Sequence, residues 1–441
     1  MLYIGADLWL SRWLMNALVL THLMTIGFML MVMIGALYQF IPVMIGRFIP
    51  GGSQRVMIIH ILLTVGTLAL TLAFSQLFVV QQGLYWLAFI ALGIAISLFT
   101  WSLIPLFLSD INEHLIIFLV RILFFVLTIT IGLGLYLLLA YAYPGLYQEW
   151  ELQYRFYTNI HALWGLIGWV VILLMAVSSQ VIPMFFVTPE FSVNYLKRLS
   201  VLIVSSLLLI TLLLVTMPIF GFSDNIHLVD FFQILLSIEL LFFISYTLKL
   251  LQQRKRKIAD VTIHFFYLAL ISLLVAICLW WLFHLWPSGE LLNYYRQYEF
   301  SLGILLIYGL ASSAIIGMLQ KIVPFLIYLN LQNLSFKHPE SMSVKPNLVP
   351  NMKMIISSKQ SRWQMYFHSA SLMLLIISVY FQAIVIVAGL AVLLNFAWLS
   401  YALWQGFYLY NKSQQAILNF PQSVLDRGVI SDKNETKIST V

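Results

Sequence analysis

Three long apolar stretches recur along this chain at one fixed period, and that repetition limits the fold more than any single motif does. Residues 21–47 read THLMTIGFMLMVMIGALYQFIPVMIGR, residues 160–183 read IHALWGLIGWVVILLMAVSSQVIP, and residues 301–324 read SLGILLIYGLASSAIIGMLQKIVP. Their prolines, Pro42, Pro183 and Pro324, stand 141 residues apart. Gly27, Gly168 and Gly309 keep the same period, as do the small residues Gly35, Ala176 and Gly317. A repeat of this length is one multi-helix unit, and the chain reads as three copies of it.

Each stretch exceeds the ~20 apolar residues that cross a bilayer as a helix. The whole chain follows suit, with 62% hydrophobic and 9% charged residues. A soluble domain is about a quarter charged. The fold class expected is therefore an all-α polytopic membrane protein whose first partner is the lipid bilayer. The net charge of +7 is then a matter of topology, and nucleic-acid binding is excluded. The lone Cys278 supports neither a disulfide nor a thiolate metal cluster. The first apolar run is long and lacks a small-residue cleavage site, so no removable signal peptide is expected.

Runs of spanning length predict eleven helices, over 14–41, 56–80, 84–108, 115–142, 157–185, 198–220, 229–250, 261–285, 300–329, 364–384 and 386–410. The repeat groups them as four, four and three, in units 14–142, 157–285 and 300–410 of a single transmembrane domain, 1–410. The third unit lacks a fourth helix and carries a polar insert, 332–362, broken by Pro339, Pro346 and Pro350. A polar tail follows at 411–441. One side of the bundle holds Arg12, Arg155 and Arg296. The other holds Arg47, Arg55, Lys197, Arg198, the run Arg254–Lys257, the insert and the tail. The positive-inside rule puts that basic side, with the C-terminus, in the cytoplasm and the N-terminus outside, in a bacterial-type inner membrane.

An ionisable side chain inside a membrane helix faces the bundle interior, a cavity or a ligand. Among nine histidines, His60, His114, His264 and His368 are expected at the basic-side helix ends, hydrogen-bonded at headgroup level. His338 falls in the insert and His227 in a short loop. His22 and His161 differ, because each sits near the start of a repeat helix at corresponding depth. Imidazole is a common axial ligand of haem iron, and the repeated glycines would let a planar ring or a neighbouring helix approach. The competing reading is close helix packing with each histidine bonded to a neighbour. The third copy has Leu302 and Ile304 at these offsets. His22 lies 20 residues before its proline and His161 lies 22 before its own. Two residues turn a helix by about 200°, so one histidine should face elsewhere unless a bulge intervenes.

Glu239, in mid-helix, reads as a paired or neutral structural carboxylate, or else a proton relay. Arg121 should snorkel to the basic side or pair with Asp110 or Glu113. Gln39 and Gln180 precede Pro42 and Pro183 by three residues and would satisfy carbonyls that the prolines free.

The segment from His22 through MTIGFMLMVMIGALYQFIPVMIGR resembles the second transmembrane helix of haem–copper oxidase subunit I, which carries a low-spin haem ligand. The segment from His161 through SQVIPMF resembles that family's sixth helix, which supplies a copper-ligand histidine. The resemblance implies three pseudo-symmetric helix groups with the family's first helix missing, which agrees with eleven helices and an external N-terminus. It also implies a haem ligated by His22, with His161 or His284 as second ligand or nearby polar group. The departures are equally specific. Gly165 stands where the family often has a tyrosine, and neither 199–220 nor 301–329 contains a histidine. Copper and a complete oxygen-reducing terminal oxidase are therefore not expected. The chain is also similar to NnrS-type membrane haem proteins of the nitric-oxide response.

The function expected from the resemblance is a membrane haem protein that binds a diatomic gas (NO or O2) or passes electrons to other membrane redox subunits. The alternative, from another class, is a cofactor-free accessory subunit or a small-solute permease. The sequence does not choose the gas, the second ligand or any proton pumping.

Overall fold

The computed structural model describes residues 5–46, 49–77, 80–107, 115–220, 226–255, 260–285, 294–338 and 348–419. Arg47, Asp110, Glu113, His114, Arg256, Lys257, Pro339, Pro346 and the tail 420–441 lie outside them. Every long element is a helix. Ten are long and apolar enough to cross a membrane, so the chain is an all-helical, multi-pass membrane-type protein.

The helices in order are α1 (15–45), α2 (Gly52–Ser75), α3 (Gln81–Phe107), α4 (Leu115–Ala142), α5 (144–186), α6 (Val193–Phe220), α7 (Ile226–Gln252), α8 (Val261–Leu285), α9 (295–337), α10 (Ser358–Tyr380) and α11 (Val385–Leu418). Helix α10 is the eleventh long helix and is less apolar than the ten. Several corrections concern length. Helix α5 begins 13 residues before the expected 157. The insert shrinks, because α9 runs on to Lys337 and the short helix Met352–Ile355 leads into α10. Ser357 caps α10: its hydroxyl accepts from the Gln360 N–H, while the Gln360 side chain accepts from the Ser357 N–H. Ile355 and Ile356 of the linker are buried with Ile327, Leu331 and Ile417. Helix α11 likewise extends past the expected 410 to Leu418.

The sequence period has a backbone counterpart. Each repeat helix contains one eight-residue π-helical segment, at Leu23–Leu30, Trp164–Val171 and Leu305–Ser312. These starts are 141 residues apart, and Gly27, Gly168 and Gly309 each occupy the fifth position. A π turn carries an extra residue and rotates the helix face beyond it. Helices α1 and α5 also end alike. Gly46 (φ +69°) and Val187 (φ +56°) adopt left-handed conformations and donate their N–H to the carbonyls of Pro42 and Pro183, at 2.9 and 3.0 Å. Helix α9 instead continues through its Pro324. Gln39 is exposed, and in the third copy Gln320 Nε2 donates to Ile316 O at 3.3 Å, a carbonyl that Pro324 does not free.

The three repeat helices meet at the centre. Trp169 Nε1 donates to Met33 Sδ at 3.2 Å, joining α5 to α1, and the π segment of α9 touches those of both partners. Glycines set the closest approaches. A Cβ on Gly168 would fall 2.7 Å from Val126 of α4; one on Gly309, 2.5 Å from Ser272 of α8; one on Gly317, 2.6 Å from Phe265 of α8. Helices α5 and α9 thus each lean on the last helix of the preceding unit. Helix α1 has no such predecessor. Its Gly27 and Gly35 face Thr67 and His60 of α2, and Phe28 meets Phe396 of α11 edge-on at 5.0 Å.

Candidate functional site

His22 is the last residue before the first π segment, and His161 lies three residues before the second. Both are half-buried. His22 Nδ1 donates to Leu18 O at 2.8 Å, one turn back on α1. His161 Nδ1 donates across to Thr130 O of α4 at 2.9 Å. A carbonyl oxygen only accepts, so each Nδ1 holds the proton and each Nε2 keeps its lone pair. The two rings lie within coulombic range of each other. The offset does not keep the rings out of range of each other: a threefold copy of His22 would sit at Leu163, about 200° away around α5.

The surroundings of His22 are aromatic. His22 tilts against Phe74 of α2 at 5.6 Å, Phe74 meets Tyr85 of α3 and Tyr141 of α4 edge-on, and Tyr141 meets Tyr154 of α5. Gly134 of α4 admits the His161 ring, since a Cβ there would stand 2.9 Å from His161 Cε1. Two neutral imidazoles with free Nε2 atoms in apolar surroundings suit a soft or borderline metal ion, and above all haem iron. Among the described residues no group of three or more His, Cys, Asp or Glu side chains comes together.

His284 lies elsewhere, at the end of α8. Its Nε2 pairs with Asp230 Oδ1 of α7 at 3.2 Å, and its ring lies nearly parallel to Trp280. It lines a cavity of about 520 Å3 enclosed by α5 to α9. Neither His22 nor His161 lines that cavity; α5 contributes Ile160, Leu163, Leu166 and Ile167 instead.

The remaining histidines divide, some standing where expected and others not. His264 and His227 are exposed in the first turns of α8 and α7, the latter on a helix rather than in a loop. His338 closes α9. His60 bridges helices: its nitrogens meet Val56 O at 2.9 Å and Met31 O of α1 at 3.2 Å. His368 is the clearest correction, because α10 begins six residues earlier than expected and carries His368 into the interior, fully buried. There it joins a directed chain of hydrogen bonds. Gln364 Nε2 donates to Asn395 Oδ1 (2.7 Å), Asn395 Nδ2 to Tyr308 Oη (2.9 Å), and Tyr308 Oη to Ser371 Oγ (2.6 Å). Ser371 Oγ donates to His368 O (2.9 Å), and His368 Nε2 to Ser313 Oγ (2.8 Å). The sequence did signal this: Ser357, Ser361, Gln364, His368, Ser371 and Ser378 recur at three- and four-residue spacing, a polar stripe on one helix face.

Glu239 is buried, with Ser206 Oγ donating to Oε1 at 3.1 Å. Its Oε2 has no hydrogen-bond partner among the described residues. Arg12, just ahead of α1, ties to α9 and α5 in a way the sequence did not announce: Nε meets Glu299 Oε1 at 3.0 Å and Nη2 donates to Asn159 Oδ1 at 2.8 Å. At the opposite end Asp260, just ahead of α8, pairs with Lys321 of α9. Burial pushes the Asp260 carboxyl up, but the Lys321 ammonium and the Thr262 N–H and O–H outweigh it and hold it below the usual 3.8.

Comparison of the chain with known protein families, with curated proteins and with solved structures returns no match.

Proposed function

We propose that the protein is an integral membrane haem protein whose iron is held by His22 and His161, on a divergent scaffold of the haem–copper oxidase subunit I type. One observation carries the reading: two imidazoles within electrostatic range of each other are each fixed by an Nδ1–H to a backbone carbonyl, leaving both Nε2 lone pairs available. This is the outer-sphere arrangement that orients a metal-bound histidine and raises its basicity. When bound, haem supplies a reversible one-electron change at iron. The Leu18 and Thr130 carbonyls hold the two tautomers, Gly134 makes room for the His161 ring, and Phe74, Tyr85 and Tyr141 keep water away. With two histidines to hold the iron, a bound haem would serve electron transfer rather than gas binding. His284, its Nε2 already paired, serves as a polar group elsewhere.

The scaffold assignment is supported by eleven long helices that the 141-residue period divides as four, four and three, and by three π segments in register. The basic residues favour an external N-terminus and a cytoplasmic C-terminus in a bacterial-type inner membrane. Absorption spectra of the detergent-purified protein, oxidised and reduced, test the proposal. A Soret band is expected in the wild type, lost or shifted in His22→Ala and in His161→Ala, and unchanged in His284→Ala. A colourless protein from haem-replete cells overturns it. The second reading, a cofactor-free permease, is favoured by the 520 Å3 cavity between α5 and α9 and predicts that colourless result.

A further inference from the structure

His60 lies about two turns inside α2. Its ring bridges two helices. Nδ1 meets Val56 O of its own helix at 2.9 Å, and Nε2 meets Met31 O of α1 at 3.2 Å. Both partners are carbonyl oxygens, which only accept. Both ring nitrogens must therefore donate, and only the doubly protonated imidazolium carries two N–H groups. A neutral ring that keeps its Nδ1–H on Val56 O would set a bare Nε2 lone pair against the Met31 oxygen, and the two would repel.

Gly35 of α1 makes the approach possible, since even a Cβ there would stand only 3.4 Å from His60 Nε2. Met31 is the first residue after the π segment of α1, so the bond fixes that helix where its face turns. No carboxylate balances the ring. Between Asp7 and Asp110 the chain has no Asp or Glu. Helix α2 packs on α1 and α3, whose titratable side chains are His22 and Tyr38 on α1 and Tyr85 on α3. His22 and Tyr85 sit against Phe74, at the far end of α2. On α2 itself Arg55 Nη1 donates to Pro50 O and Ser102 Oγ. The second proton on His60 is thus held by the two carbonyls, without an ion pair to lock it in place.

We propose that His60 is a proton-operated latch between α1 and α2. The imidazolium bonds both helices; loss of its second proton to solvent releases the Met31 carbonyl and loosens the seam at Gly35. The closed form carries one proton more than the open form, so acid closes the latch and alkali opens it. The latch does not depend on haem.

Nitrogen-15 NMR of the histidine-labelled full-length protein in detergent, from about pH 5 to 9, tests the assignment. His60–Ile61 is the only His–Ile pair in the chain, so pairwise labelling assigns its signals in the wild type. Two ring N–H groups are expected at the acid end of the range and one at the alkaline end. Amide hydrogen exchange in residues 31–39, corrected for the intrinsic effect of pH, should accelerate at least about tenfold across the same range, the scale of one charge-assisted hydrogen bond. His60→Gln should lose this acceleration. Should that variant fail to fold, the two wild-type measurements decide alone. An unchanged number of ring N–H groups over the whole range, a ring that titrates without any change in exchange, or the same acceleration in His60→Gln overturns the proposal.

Discussion

Val187 shows how much a single residue can reveal here. It ends α5 at φ +56°, where Gly46 ends α1. A left-handed β-branched residue costs roughly 1–2 kcal/mol, and glycine removes that strain at some cost in chain entropy. Val187→Gly is therefore expected to stabilise the protein by about 0.5–1 kcal/mol, read as a higher midpoint in SDS or thermal unfolding. Gly134 supports a second prediction. Its missing Cβ would stand 2.9 Å from the His161 ring, while a Cβ on Gly132 would meet nothing within 4 Å. Gly134→Ala should therefore displace the imidazole and shift the haem absorption, whereas Gly132→Ala should match wild type. The glycine positions were legible from their period alone. What each one accommodates was not, because a side chain on a neighbouring helix decides it.

Helix α10 is the element whose character the sequence understated. Its polar residues break the apolar run, so its start was placed late and His368 was put at the membrane surface. In the fold Gln364, His368 and Ser371 of that face find partners on α9 and α11. Asn395 is the hub. Asn395→Leu should cost about 1–2 kcal/mol by leaving Gln364 and Tyr308 short of partners, while Ser378→Ala, which loses only a bond to Leu375 O of its own helix, should stay within about 0.5 kcal/mol. A second tie between elements depends on pH. Asp260 holds α8 to Lys321 of α9, and its carboxyl is depressed below 3.8. Its contribution is complete above that ordinary value and is lost as pH falls through the lower folded value. Unfolding in detergent between pH 5 and 2 should show this loss, and Asp260→Asn should remove the pH-dependent part. The pairing of α8 with α9 through this contact could not be read from sequence, since 61 residues separate the partners.

In the whole molecule, the three repeat helices α1, α5 and α9 come together through their π segments. Where α5 and α9 rest on a preceding fourth helix, α1 meets α11, and the segment ahead of it places Leu8 and Trp9 against Val379 and Val385. Trp9→Ala should lower the unfolding midpoint, at a cost of about 3 kcal/mol, without touching the His22 environment, so any haem spectrum should remain as in wild type. The period, the helix count and the membrane class were all legible in the sequence, because apolar length and a fixed repeat are local or one-dimensional signals. The meeting of His22 with His161 was not, since it depends on how two copies are rotated about their common centre. The three π segments carry one last consequence. A π turn is a single inserted residue, and here three insertions share one register around Gly27, Gly168 and Gly309. One inheritance explains that more simply than three separate events. The bulge is then a property of the repeat unit rather than of any one helix.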